Sequence, residues 1–291
     1  MSKNLAEKGN LDEPLILYNR SRQRASELSQ KLPPGKTEVA DSVEDGVSKA
    51  DIVFICLAND AAVKDTIAAA LRTNVKGKLF VDCSTIHPDS TAEVANDVLA
   101  QGAEFVAAPV FGAPAMADAG QLIGVLAGPK ASIERARPFF KGVTSRAEIL
   151  MVDAPYRNST LLKVIGNTFV LNMVEQLAEG HVLAEKTGLG TTPLHQLLEL
   201  LFPGPYSAYS TRMLGGDYYT REEPLFAVDL ARKDAGHALN LANSVGVRLH
   251  NVETGDAHLA KVKEHAGAKG DIAGVYGAVR QEAGLKFEND A

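Results

Sequence analysis

Lys163 and Asn167 stand four residues apart in "TLLKVIGNTF", with Leu161, Leu162, Val164 and Ile165 around the lysine. On a helix, that spacing sends both side chains out of one face. A lysine among apolar neighbours loses hydration of its charge and its pKa falls, which suits a general acid/base near neutral pH. The plainer alternative is a lysine that snorkels from a helix end to water. Near a helix start a lysine also opposes the dipole, which makes a purely structural role less comfortable. A second pair, Lys233-Asp234 in "LARKDAGHAL", reads from the residues alone as a solvated helix face with weak local salt bridges. His87 in "STIHPDSTAE" reads as a surface loop histidine beside a helix start, with Pro88 in the first turn or the turn before it and Asp89 or Ser90 as cap; the sharper alternative is a polar loop facing the substrate, with His87 in it. The remaining histidines show no metal-ligand spacing and there is no C-x-x-C, so no metal is expected.

These residues need a scaffold. In the first half, short β-branched runs recur at Leu15–Tyr18, Ile52–Leu57, Leu79–Val81, Phe105–Ala107 and Ile123–Leu126, mostly with amphipathic helical patterns between them. Alternating strands and helices predict an α/β domain with a Rossmann-like, doubly wound parallel sheet. In such a sheet ligands lie beyond the carboxyl ends of the strands. The residues there are Asn19-Arg20-Ser21, Leu57-Ala58-Asn59-Asp60, Ser84-Thr85-Ile86 and Pro109-Val110-Phe111-Gly112-Ala113, small or polar as a backbone-lined cofactor cleft requires. An acid for the ribose hydroxyls is absent after the Leu15 strand. Arg20 there suits a 2′-phosphate, favouring NADP over NAD, or is simply a solvated arginine at a helix start.

The second half is helical throughout, with patterns over 157–187, 192–203, 225–245, 252–265 and 271–284. The first is apolar on nearly every side, which predicts a buried helix, with Gly188 as its C-cap glycine. The expected domains are 1–153, a nucleotide-binding domain, and 154–291, an all-helical substrate and dimerisation domain. "KFENDA" reads as a frayed tail.

The chain has 291 residues, 45% apolar and 23% charged, with net charge −6 and no basic run, so nucleic acid is a poor partner. No apolar run approaches a membrane span and no secretory signal is visible, so no membrane partner and a cytoplasmic location are expected. Cys56 and Cys83 read as buried reduced thiols.

Together these segments resemble the β-hydroxyacid dehydrogenase family, which includes 3-hydroxyisobutyrate dehydrogenase and is related to 6-phosphogluconate dehydrogenase. The resemblance runs over almost the whole chain through "YNRS", "VDCSTIHPDS", "APVFGAPAMADAGQLIGVLAG", "LLKVIGNTF" and "LARKDAGHAL", in the family order. It implies hydride transfer between NADP, or NAD, and a small 3-hydroxy acid or related carbonyl acid. Lys163 would be the general acid/base, with Asn167 orienting it or the substrate. Ser84 and the backbone at Gly112 and Ala113 would hold the substrate carboxylate, with Phe111 and Asp234 on the substrate side. Thr85 and Lys233 would contact the cofactor, as would Asn19, Arg20, Ser21, Leu57 and Ala58 at the strand ends. A homodimer or homotetramer is usual in the family.

Two departures qualify this. Phe111 stands where the family has serine and Ala113 where it has a second glycine; phenylalanine removes a donor and narrows the pocket, so a bulky or less polar substrate, or a shifted pose, is expected in place of the usual small hydroxy acids. Met1 aligns inside the family's first helix, so strand one and its G-x-G-x-M-G loop are expected to be missing, and "GLGTTP" and "MLGGDYY" lie in the helical half and cannot replace them. An incomplete reading frame begun at an internal methionine is the favoured explanation, a cofactor-impaired isoform the other. Weak NADP(H) binding follows as an expectation. Two other functional readings stay open: a non-catalytic binding module on the same fold, and an imine-reductase-like enzyme, ranked third because such relatives replace the lysine.

Overall fold

Residues 1–290 are described by a computed structural model, in which the chain divides into two units, Met1–Lys163 and Val164–Ala291. The first is mixed α/β and the second is helical.

Unit 1 begins with α1 (Ser2–Lys8), β1 (Leu15–Leu17), α2 (Arg22–Gln30), β2 (Thr37–Val39), α3 (Val43–Lys49), β3 (Ile52–Ile55) and α4 (Asp60–Ala70). It continues with β4 (Leu79–Asp82), α5 (Pro88–Ala100), β5 (Glu104–Ala107), β6 (Val110–Phe111), α6 (Pro114–Ala119), β7 (Leu122–Gly128), α7 (Lys130–Ala136) and β8 (Ser145–Val152). Local chemistry sets many of these boundaries. Ser42 and Asn59 cap α3 and α4, each accepting a backbone N–H from three residues on, and Glu44 and Asp45 complement the α3 dipole.

The strands form two sheets. β1 and β2 pair with each other, parallel. The other sheet runs β3-β4-β5-β7-β6, with β8 pairing β7. No described strand pairs the second edge of β1 or the outer edge of β3. The larger sheet is parallel from β3 to β5, but β7 runs antiparallel to β5 and β6, which the fully parallel expectation did not include. A short connection through the six-residue α6 permits an antiparallel neighbour, whereas a parallel crossover needs a dozen residues or more. Side chains alternate across the sheet with period two. Phe80, Phe105 and Ala107 pack with α4 and α5, while Leu79, Val81 and Val106 pack with Ile133, Ala136 and Phe140 on the other face.

Strands β2, β6 and β8 went unread in the sequence. β2 and β6 have three and two residues, too few for a period, and β8 is an exposed edge interrupted by Arg146 and Glu148.

Helix α8 (Arg157–Lys186) begins in unit 1 and continues into unit 2. Unit 2 then has α9 (Thr191–Leu201), α10 (Pro205–Leu214), α11 (Asp217–Thr220), α12 (Val228–Ser244), α13 (His250–Ala266) and α14 (Val275–Glu282). α10 and α11 were not expected, because Gly204, Pro205 and the Ser/Tyr-rich run look like turn composition. The reading of α8 as buried all round needs correction, since Ile165, Phe169 and Leu183 are exposed. The frayed tail is also corrected. Phe287 is 2% exposed in the unit 2 core, and Asn289 bonds the carbonyls of Met213 and Leu214 through Nδ2.

Candidate active site

In unit 1, the polar turns after β3 and β4 are stitched together. The Leu57 N–H donates to Ser84 Oγ at 2.9 Å, and the His87 N–H donates to Asp60 Oδ1 at 2.8 Å. The Ser84 N–H donates to Asp82 Oδ1 at 3.0 Å. Ser84 is 1% exposed and its oxygen already accepts a backbone proton, so it works as a buried tie between the two turns. Thr85 is half-buried beside it and Ala58 is exposed. His87 is half-buried and its Nδ1 accepts the Asp89 N–H at 3.2 Å, making His87 itself the cap of α5. That corrects the reading of Asp89 or Ser90 as cap and His87 as loop decoration. Asn19, Arg20 and Ser21 follow β1 and are exposed, with Asn19 Oδ1 accepting the Ser21 N–H at 2.9 Å. They hang on the smaller sheet and are not stitched to the turns after β3 and β4 in this way.

The two cysteines differ. Cys83 is buried, and burial pushes its thiol well above the ordinary range. Cys56 is exposed, which corrects the expectation that both are buried. Both thiols are free.

Lys163 is 8% exposed on α8, on the stripe that also carries Thr160 and Val164. Its Nζ lies 4.3 Å from the centroid of the Phe111 ring, a cation–π contact. Register places the ring: Phe111 on β6 pairs with Ile123 on β7. The next residue, Gly112, has φ +141°, where an added Cβ would meet Leu122 at 2.6 Å. Only glycine can make that turn, and it leaves Gly112 and Ala113 exposed.

In unit 2, Asn167 Nδ2 donates to Asp234 Oδ2 at 2.6 Å, and Lys233 Nζ lies 3.2 Å from Asp234 Oδ1. Asp234 is 7% exposed, so the Lys233-Asp234 pair is buried rather than a solvated face. The signal was present: Ala231, Asp234, Ala235 and Ala238 fall at i, i+3, i+4 and i+7, which places the aspartate on the inward stripe of α12. A separate buried group lies further along the fold. His258 Nδ1 meets Glu175 at 2.7 Å and Nε2 meets Glu282 at 3.1 Å, and the Glu175 hydrogen bond leads the effects that raise the His258 pKa. The buried His181 is pushed down to about 4 by desolvation.

The fold suits a nicotinamide dinucleotide at the strand ends of unit 1. The exposed Arg20 guanidinium matches a phosphate in chemistry, and exposed backbone at Ala58 and Gly112 gives close approach. For the pyrophosphate, the described strand ends carry positive-φ glycines singly, at Gly112 after β6 and at Gly128, the last residue of β7, and not as a paired glycine turn.

Comparison with known proteins identifies the family of the nucleotide-binding half. Residues 1–153 match the family described as the NAD binding domain of 6-phosphogluconate dehydrogenase. The NADH-dependent oxidoreductase ucdB of Aspergillus ustus is 37% identical over 288 residues, covering 99% of this chain and 97% of that protein. Among solved structures, 3-hydroxyisobutyrate dehydrogenase from Salmonella typhimurium superposes with TM-score 0.81 at 20% identity, covering 94% of each chain. The Mycobacterium tuberculosis 3-hydroxyisobutyrate dehydrogenase structure with L-serine gives 0.80 at 22% identity, covering 96% of this chain and 94% of that one.

Proposed function

The chain belongs to the family of the NAD-binding domain of 6-phosphogluconate dehydrogenase, and from that premise we propose that it moves a hydride between a nicotinamide cofactor and a small hydroxy or carbonyl compound, with Lys163 as general acid/base. It is an NAD(P)-dependent oxidoreductase of the 3-hydroxyisobutyrate dehydrogenase type. The bound nicotinamide supplies or accepts the hydride. The observation that carries the role of Lys163 is its buried ammonium, held over the Phe111 ring on α8. In reduction the ammonium gives a proton to the substrate oxygen, and in oxidation the amine takes it back. Asn167, one helical turn on, keeps a fixed direction because Asp234 accepts from its amide. Arg20 would hold a 2′-phosphate, Thr85 and the Leu57-Ala58 backbone would lie along the cofactor, and the exposed backbone at Gly112 and Ala113 would face the substrate. The same reading takes the protein as cytoplasmic and as a homodimer or homotetramer. In support of an oligomer, Leu197, Leu200 and Leu201 are exposed on one flank of α9; no described helix is long and apolar enough to cross a membrane.

The test is Lys163→Ala in steady-state reduction of short-chain aldehydes with NADPH and NADH. We expect kcat to fall roughly 10²–10⁴-fold, with cofactor affinity by nucleotide fluorescence unchanged. Full turnover without the lysine would remove it from the mechanism.

A further inference from the structure

We infer that Phe111, by turning its ring face to Lys163, makes the site select carbonyl substrates that present an alkyl or aromatic group there rather than a carboxylate. This deepens the hydride-transfer reading and rests on it.

The ring and the ammonium are 4.3 Å apart, inside the range of cation–π attraction. The ring is held by a strand register and by a glycine turn that nothing larger can make, so it is a wall and not a flap. It is only half-buried, so part of it remains available for contact. An aromatic face carries the negative end of the ring quadrupole. On the side that the ring covers, a carboxylate meets negative π density before it can reach the Lys163 ammonium. An alkyl or aryl group meets a surface it can pack against.

The neighbouring polar groups do not compensate. Ser84 is buried, and its oxygen takes the Leu57 N–H. Asp82, 2% exposed, and Asp60 are themselves acids, and they accept from the Ser84 and His87 backbones. Thr160 donates to the Arg157 carbonyl. Arg157, on the first turn of α8, pairs with Asp89 at 3.1 Å. The side chains of Ser84, Asp82, Asp60, Thr160 and Arg157 are thus acceptors or are already engaged. The exposed Gly112-Ala113 backbone is the other part of the expected substrate loop in unit 1. Backbone N–H groups alone make a weak counterpart for a carboxylate compared with a charge-assisted pair, and the Lys163 ammonium beside them is covered on one side by the ring and is used for proton transfer. The resemblance led to a 3-hydroxy acid as substrate; the Phe111 wall points instead to an uncharged aldehyde or ketone.

The experiment compares two matched pairs, butyraldehyde with succinic semialdehyde and benzaldehyde with 4-carboxybenzaldehyde, each with NADPH and with NADH. We expect the wild-type kcat/KM to favour the neutral member at least tenfold in both pairs. Phe111→Ser should narrow that ratio by roughly 10- to 100-fold. Phe111→Thr removes the ring but places a β-branched residue suited to the strand and should narrow the ratio likewise, which keeps the test decisive if the serine variant misfolds. A wild type that prefers the carboxylate members overturns the inference, as does a ratio that both variants leave unchanged. If no carbonyl is reduced at all, the hydride-transfer reading fails on its own. The selectivity is then read by saturation-transfer NMR with benzyl alcohol and 4-carboxybenzyl alcohol. Preferential binding of the neutral alcohol, lost in Phe111→Ser, upholds it; equal or reversed binding overturns it.

Discussion

Strands β4 and β5 have almost every side chain covered, with Leu79, Phe80, Val81, Phe105 and Val106 all at 0% exposure. Strands β1 and β2, three residues each, bury only Leu17 fully. The larger sheet is covered on both faces by apolar clusters, whereas the smaller one has two strands and leaves the second edge of β1 without a described partner. A two-stranded sheet is marginal in water on its own, and an open edge adds unpaired backbone groups. The residues read as holding two ends of one cofactor therefore stand on supports of different strength. Asn19, Arg20 and Ser21 follow the weak pair, and Leu57, Ala58, Ser84 and Thr85 follow the strong sheet.

Native-state hydrogen exchange is the most direct way to break that contrast. The amides of Phe80 and Val81 should open with a free energy close to global unfolding, ~5–15 kcal/mol. Those of Ile16 and Leu17 should exchange at least about 10³-fold faster, through local opening. Equal protection in both sheets would show that they are one cooperative unit. Denaturant melts give a smaller, sharper version. Phe80→Ala should cost ~3–5 kcal/mol of global stability, while Ile16→Ala, at a half-buried position, should cost ~1 kcal/mol. Cofactor selection gives the smallest effect. Arg20→Ala should weaken NADPH binding about tenfold and leave NADH nearly unchanged, in keeping with the loss of one charge-assisted contact. An equal loss for both nucleotides would move Arg20 from the phosphate to a structural role.

What could be read from the residues follows the same division. The strands of the covered sheet show as β-branched runs because burial on both faces demands them, and α8 shows through its apolar pattern. β2, β6 and β8 stayed hidden because each is short or has an exposed edge, so burial leaves no period in them. At the candidate site, spacing singled out Lys163 and Asn167 as a pair on one helix face, and it held no sign of what each touches, Phe111 and Asp234. Asp234 was misjudged because charge was weighed before its place in an alanine stripe. The cap made by His87 was missed because an imidazole nitrogen is an uncommon helix cap. Contact between Phe111 and Lys163, 52 positions apart in sequence, could come only from the three-dimensional arrangement.

The docked segment around Phe287 has its own consequence. An added Cβ at Gly277 would lie 2.7 Å from the Phe287 ring, so α14 has a glycine where the aromatic side chain seats. Tyr218 Oη donates to the Phe287 carbonyl at 2.6 Å, and Tyr219 Oη donates to that of Asn289. The helical unit is thus closed by residues that leave the ribosome after all of its helices. Its core cannot be completed while positions 287–289 are still inside the exit tunnel, whereas the β3–β8 sheet can form well before. Synthesis therefore imposes an order on the two units, and the helical one finishes last.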